Sequence, residues 1–211
     1  KQQSATLAHK FYITTPIYYV NDRPHIGHAY TSVVADALAR YHRAQGENVF
    51  FLTGVDEHGR KIAEAAEKAK LDPQLFADTN TEYFKKLLRA LTISNDGFIR
   101  TTDRKKHFPK VAEVWNKLKE KGDIYKGTYK GLYCVGHEAF LKPSELKDGI
   151  CPEHGKKPEV IEEENYFFRL SKYAKQIESA IREDKLRIVP ETRKNEVLGF
   201  LKEDLEDISF S

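Results

Sequence analysis

The sequence predicts a doubly wound α/β fold with a parallel sheet, interrupted by a small insert. Three observations predict it. An apolar strand, an amphipathic helix and a second apolar strand follow one another between Phe11 and Val55; strand and helix signals keep alternating as far as Gly122; and between Asp123 and Glu164 the texture changes to short segments rich in tyrosine, glycine, proline and lysine. A chain of 211 residues has room for such a core and for one interruption in it.

Taken in order, Phe11 to Tyr19 is aromatic and β-branched, which favours a strand, and Val20-Asn21-Asp22-Arg23-Pro24 breaks it. From His25 the apolar positions Ile26, Tyr30, Val33, Val34, Ala37, Leu38 and Tyr41 recur three and four apart, predicting a helix that turns this stripe to a core and ends near Gly46. Asn48 to Val55 is almost continuously apolar, the pattern of a parallel strand covered on both faces. A helix after Gly59 to Lys70, one from Asp72-Pro73 to about Leu91, a short strand at Phe98-Ile99-Arg100 and a helix from Asp103 to Lys121 complete the first part. Tyr166 to Glu183 and Asn195 to Leu205 carry helical periodicity, and Ile208-Ser209-Phe210 reads as a strand. The predicted organisation is therefore 9–122 for the first half of the layered domain, 123–194 for the insert, and 195–211 for a return to the layered domain.

Composition narrows the function only a little. No run of 18 apolar residues is present, so no membrane span is expected, and 35 basic against 32 acidic groups permit an anionic partner without demanding one. With two cysteines, Cys134 and Cys151, and no secretory leader, a reducing compartment is expected, the cytoplasm or an organelle matrix. The chain has no methionine and opens Lys1-Gln2-Gln3, so its first residue is not expected to be a natural start.

The chemistry concentrates in two places. Pro24-His25-Ile26-Gly27-His28 stands where a strand turns into a helix, at the sheet edge where ligands of such folds bind; free N–H groups and the positive helix end there attract phosphate. His25 and His28 share a helix face, and Gly27 leaves room for a nucleotide to approach. Both histidines could instead simply cap the helix. In the predicted insert, Cys134-Val135-Gly136-His137 and Cys151-Pro152-Glu153-His154 repeat one spacing and together offer four ligands, the number a closed tetrahedral zinc site requires. The alternative is two free thiols beside unrelated surface histidines.

His25-Ile26-Gly27-His28 is similar to the H-I-G-H motif of class I aminoacyl-tRNA synthetases, and Thr14 to Asn21 before it resembles the methionyl branch. Further segments resemble that branch in order: Phe51 to Gly59, Glu163 to Ser171, and Leu205 to Ser209. The resemblance implies a Rossmann-like sheet with a connective insert, and an enzyme that activates methionine with ATP and Mg2+ to methionyl-adenylate, then transfers it to the 3′ end of tRNA(Met). By the same resemblance His25 and His28 hold the ATP phosphates together with Tyr19 and Gly27, while Pro16, Ile17, Tyr19 and Asp56 bind methionine, Asp56 taking its ammonium. Capping of the following helix is the other reading of Asp56. The insert of the family often carries zinc knuckles, usually with cysteine where His137 stands, a departure that should weaken the metal without abolishing it.

Two other functions stay open on the sequence. The family's lysine-bearing K-M-S-K-S type segment is absent, so a module that keeps the fold but turns nothing over is one. An adenylyltransferase of small cofactors is the other, though such enzymes lack a zinc-knuckle insert.

Overall fold

The computed structural model describes residues 9–137, 139–141, 143–202 and 205–210, so the opening Lys1-Gln2-Gln3 lies outside the described residues. The chain divides into two compact units, Lys1–Val111 and Ala112–Ser211.

In the first unit β1 (Lys10–Thr14), β2 (Tyr18–Tyr19), β3 (Asn48–Asp56) and β4 (Gly97–Arg100) make a parallel sheet in which β3 is central. β1 pairs with the first half of β3 and β2 with its end, so that Tyr19 lies opposite Asp56; β4 flanks the other side, with Val55 opposite Arg100. The single predicted strand from Phe11 to Tyr19 is thus two. Pro16 has no N–H to give a ladder, and the Thr15 hydroxyl turns aside to the Pro16 carbonyl and to the Thr53 hydroxyl, 2.6 Å away. The helices are α1 (Ile26–Ala44), α2 (Arg60–Lys68) and α3 (Pro73–Ala90), the last capped by Asp72, whose carboxylate accepts from Gln74 and Leu75 N–H. The core lies in two clusters: Phe51 with Ala35 and Ala39, and Val55 with Tyr18, Val20, Ile62, Ala77 and Phe84.

Helix α1 departs from expectation in how it is turned. Its buried residues are Ser32, Ala35, Asp36 and Ala39, while the predicted stripe is exposed, Ile26 by 85% and Tyr30 by 71%. Small side chains let a helix lie close to a sheet, and Asp36 is anchored by Ser94 N–H (2.7 Å), the Ser94 hydroxyl and Arg40, which fixes that face inward. The sheet differs in part: Tyr12 and Phe50, opposite each other on β1 and β3, stack on one another and are exposed, so the first half of β3 is open on one face, whereas Thr53, Gly54 and Val55, successive and buried, are covered on both as expected.

In the second unit β5 (Ile124–Cys134), β6 (Ala139–Leu141), β7 (Glu159–Phe168) and β8 (Ile208–Phe210) form an antiparallel sheet in the order β6-β5-β7-β8. β5 and β7 pair from Ile124↔Phe168 to Tyr133↔Glu159, a far longer ladder than the short segments expected. Tyr166, Phe167 and Phe168 were within a predicted helix; the ladder and the burial of Phe167 win over their periodicity, and the helix α5 begins only at Ala174, running to Arg182. Helix α4 (Phe108–Glu120) starts later than predicted because Asp103 first folds a turn by accepting from Lys105 and Lys106 N–H. α6 spans Glu191–Phe200, and residues 203 and 204 of the predicted helix lie outside the described residues. β8 pairs antiparallel with β7. At the end of the ladder, just before β5, Asp123, fully buried, accepts from Lys172 Nζ and the Tyr173 hydroxyl, each at 2.6 Å; those bonds hold its carboxyl below the ordinary range. Among the described residues no helix is long and apolar enough to cross a membrane.

Candidate functional site

In the first unit the two histidines form a reciprocal cap on α1. Gly27 N–H donates to His25 Nδ1 at 3.1 Å, and His25 N–H donates to His28 Nδ1 at 3.0 Å. The ring centroids stand 3.9 Å apart, and a side chain at Gly27 would bring its Cβ within 2.9 Å of the His25 ring. Both Nδ1 atoms act as acceptors, so each neutral ring carries its proton on Nε2. Capping therefore does not compete with binding an anion: it selects the tautomer that presents Nε2–H as a donor. His28 is packed edge-on to Tyr18 and Phe84, with centroids at 5.0 and 5.1 Å. Its burial, and next the proximity of His25, push its pKa below the ordinary imidazole value, which favours the neutral donor.

Asp56 ends β3 opposite Tyr19, whose neighbour Tyr18 packs against His28. Its Oδ1 accepts from His58 N–H at 3.2 Å and from the Thr101 hydroxyl at 3.3 Å. The cap of α2 is Gly59, which has no side chain to offer, so capping of that helix is not the work of Asp56. Pro16, Ile17 and Tyr19 are exposed, Ile17 by 43% and Tyr19 by 38%, and Lys61 Nζ lies 5.9 Å from the Tyr19 ring centroid. They are not core residues.

Sequence reasoning missed the group behind Asp56. Glu57 is buried with its carboxylate held by Arg100 Nε (2.8 Å), Arg100 Nη2 (2.7 Å), the Thr81 hydroxyl (2.7 Å) and the Thr102 hydroxyl. Burial would raise its pKa, but Arg100, Thr102 and Thr81 together hold it below the ordinary value. Arg100 also pairs with Asp78. Glu57 and Arg100 are far apart in sequence, and only the β3–β4 pairing joins them.

In the second unit Cys134, His137, Cys151 and His154 do come together, their ligand atoms all within 4.8 Å of one another. Cys151 Sγ is 3.6 Å from His137 Nδ1 and 3.5 Å from His154 Nδ1; Cys134 Sγ is 3.8 Å from His154 Nδ1. A tetrahedral zinc with Zn–S of about 2.3 Å and Zn–N of about 2.0–2.1 Å sets sulphur and nitrogen about 3.5 Å apart, so the donor set fits that ion. Glu153 binds His137 Nε2 at 2.7 Å, the second contact that turns Nδ1 toward the cluster. A Cβ at Gly136 would meet the His154 ring at 2.3 Å, so only glycine lets that ring pack here. Burial would raise the Cys134 thiol, yet hydrogen bonds from His137, Cys151 and Gly136 bring it down to about 7, toward the thiolate a metal needs. Four protein ligands leave no open position, so bound zinc would supply a cross-link and no chemistry.

The sequence matches the family described as tRNA synthetases class I (M) over residues 11–157 and 137–211. The chain belongs to that family. Among curated relatives, the Methionine--tRNA ligase of Thermotoga maritima is 52% identical over 206 residues, which is 96% of this chain and 33% of the relative. That of Streptomyces coelicolor is 47% identical over 213 residues, 97% of this chain and 39% of the relative. The structure of Mycobacterium tuberculosis methionyl-tRNA synthetase in complex with methionyl-adenylate superposes with a TM-score of 0.89 at 42% identity, covering 95% of this chain and 40% of that one. This member of the family thus spans well under half the length of these relatives.

Proposed function

We propose that this chain grips ATP and methionine in a methionine–tRNA ligase, which converts the two to methionyl-adenylate with release of pyrophosphate and then passes the methionyl group to the 3′ end of tRNA(Met) with release of AMP, in the cytoplasm or an organelle matrix. The observation that carries the reading is the reciprocal histidine cap on α1, whose His28 packs on Tyr18, next in sequence to Tyr19 opposite the strand-end carboxylate Asp56. A carboxylate attacking the α-phosphorus of ATP needs positioning and a place for charge that builds on the phosphates. His25 and His28 donate from Nε2 to that charge at a helix N-terminus, with Gly27 leaving the approach open and Tyr19 beside it, and no proton leaves either ring. Mg2+ accompanies the nucleotide. Asp56 binds the ammonium of methionine, leaving the substrate's carboxylate free to attack. Pro16, Ile17 and Tyr19 are apolar and exposed at the same strand ends, as a wall for a thioether would be.

In the second unit, Cys134, His137, Cys151 and His154 hold a structural zinc, within an insert of residues 123–194. Residues 9–122 belong to the catalytic domain, and 195–211 lead back to it, although β8 still pairs with β7. Methionine-dependent exchange of pyrophosphate into ATP by the full-length natural protein tests the reading; no exchange at saturating methionine overturns it. A second reading, a module that binds but does not turn over, predicts ligand binding without exchange by residues 1–211 alone.

A further inference from the structure

We propose that Thr101 is the positioning residue of the ammonium-binding carboxylate, acting on methionine only through Asp56. The inference rests on the reading of Asp56 given above.

Thr101 follows β4 at its C-terminal end, and its N–H donates to the Val55 carbonyl, which sets it beside Asp56 on the neighbouring strand. It is a buried threonine, 6% exposed, whose hydroxyl has two neighbours. Glu57 N–H lies 2.9 Å from its Oγ1 and can only donate, so it occupies an oxygen lone pair. The hydroxyl proton is left to the second neighbour, Asp56 Oδ1, at 3.3 Å, and a carboxylate can only accept. The direction of both bonds follows without choice: Glu57 N–H to Thr101, Thr101 to Asp56.

The same Oδ1 takes His58 N–H at 3.2 Å. One oxygen of Asp56 thus carries two protein donors, whereas Oδ2 has no hydrogen-bond partner among the described residues. A carboxylate held by one oxygen keeps its plane and offers the other to a cation. The Thr101 carbonyl also lies 3.3 Å from His58 Nε2, so the residue grips both sides of the Asp56–His58 turn. Behind it the Arg100–Glu57 pair fixes the strand ends, so the hydroxyl is aimed from a rigid frame.

The test is steady-state pyrophosphate exchange with the full-length natural protein. Thr101→Val keeps the shape and removes the hydroxyl; the KM for methionine should rise about tenfold, while the KM for ATP stays unchanged. Thr101→Ser restores the hydroxyl and should restore the methionine KM, which a role in packing would not. In an Asp56→Ala background, where methionine KM is already raised, Thr101→Val should add nothing. If the valine variant does not fold, Thr101→Cys, with its weaker S–H donor, should give an intermediate rise. A folded valine or cysteine variant with unaltered methionine KM overturns the inference. Two other results would sink the underlying reading instead: no exchange by the wild-type protein, or no change in methionine KM on Asp56→Ala.

Discussion

The two units hold their polar clusters in different ways. In the first, His25, His28 and Asp56 sit at the ends of elements whose core is apolar: Phe51, Val55 and Phe84 fill it, His28 only edges onto Phe84, and the polar residues are oriented by hydrogen bonds to neighbouring backbone and to the Thr101 hydroxyl. In the second, among the described residues from 131 to 157, Cys134 and Cys151 are the only buried ones. Where apolar burial is that scarce, the proposed zinc would do the work of a core. A site on a packed scaffold can be edited one residue at a time, whereas a site that is its own core stands or falls whole.

The largest expected effect follows directly. Structural zinc contributes on the order of 10–16 kcal/mol of apparent binding energy in small zinc-dependent modules. Chelation of the zinc-loaded protein, or Cys151→Ser, should therefore strip amide-exchange protection from residues 124–168 and leave that of β1 and β3 intact. Protection that persists in the second unit after the zinc is gone would erase the contrast. Next comes the packed scaffold's own weak point: Glu57→Ala leaves Arg100 without its buried partner and should cost about 3–5 kcal/mol in denaturant unfolding of the first unit. A loss under 1 kcal/mol would show that Asp78 alone satisfies Arg100.

His28→Ala should separate function from fold within that unit. Removing a donor to transition-state charge should slow pyrophosphate exchange by about 10²–10³. The lost cap should cost only about 1 kcal/mol of stability, read by thermal unfolding. Equal losses in both would make His28 a cap and nothing more. The smallest effect is on pH. Because the folded pKa of His28 lies below its unfolded value, the unfolded chain takes the proton first as pH falls. The stability due to neutral His28 is complete above pH about 6.5 and lost as pH drops through the folded value. His28→Gln should flatten the Tm-against-pH curve over that interval, and an unflattened curve would assign the slope to other groups.

How much of this could be read from sequence depended on whether the deciding contacts were local. The strand, helix and strand from Phe11 to Val55, the cap at His25 and the twin Cys-x-x-His spacing all lie within short stretches, and the structure brings the four metal-ligand candidates together. The orientation of α1 was not legible from its apolar stripe, because Ala35, Ala39 and the anchored Asp36 decide it through contacts with β3 and Ser94. Tyr166 to Phe168 fit a helical period as well as a strand, and their partners on either side, Ile124 to Lys126 on β5 and Ile208 to Phe210 on β8, distinguish the two. The brace of Glu57, Arg100 and Thr101 left no periodic mark, since its members meet across more than forty intervening residues.

The reciprocal cap has a mechanical side. Each imidazole is a rigid plate gripped at one nitrogen by the first turn of α1, so its far nitrogen is carried wherever that turn goes. The helix thus serves as a jig: its seating against β3 through Ala35 and Ala39 sets the height of both donors at the sheet edge. Enlarging either alanine would tilt the helix and misalign the two rings together, a lesion in the proposed phosphate site made from a position that touches none of it.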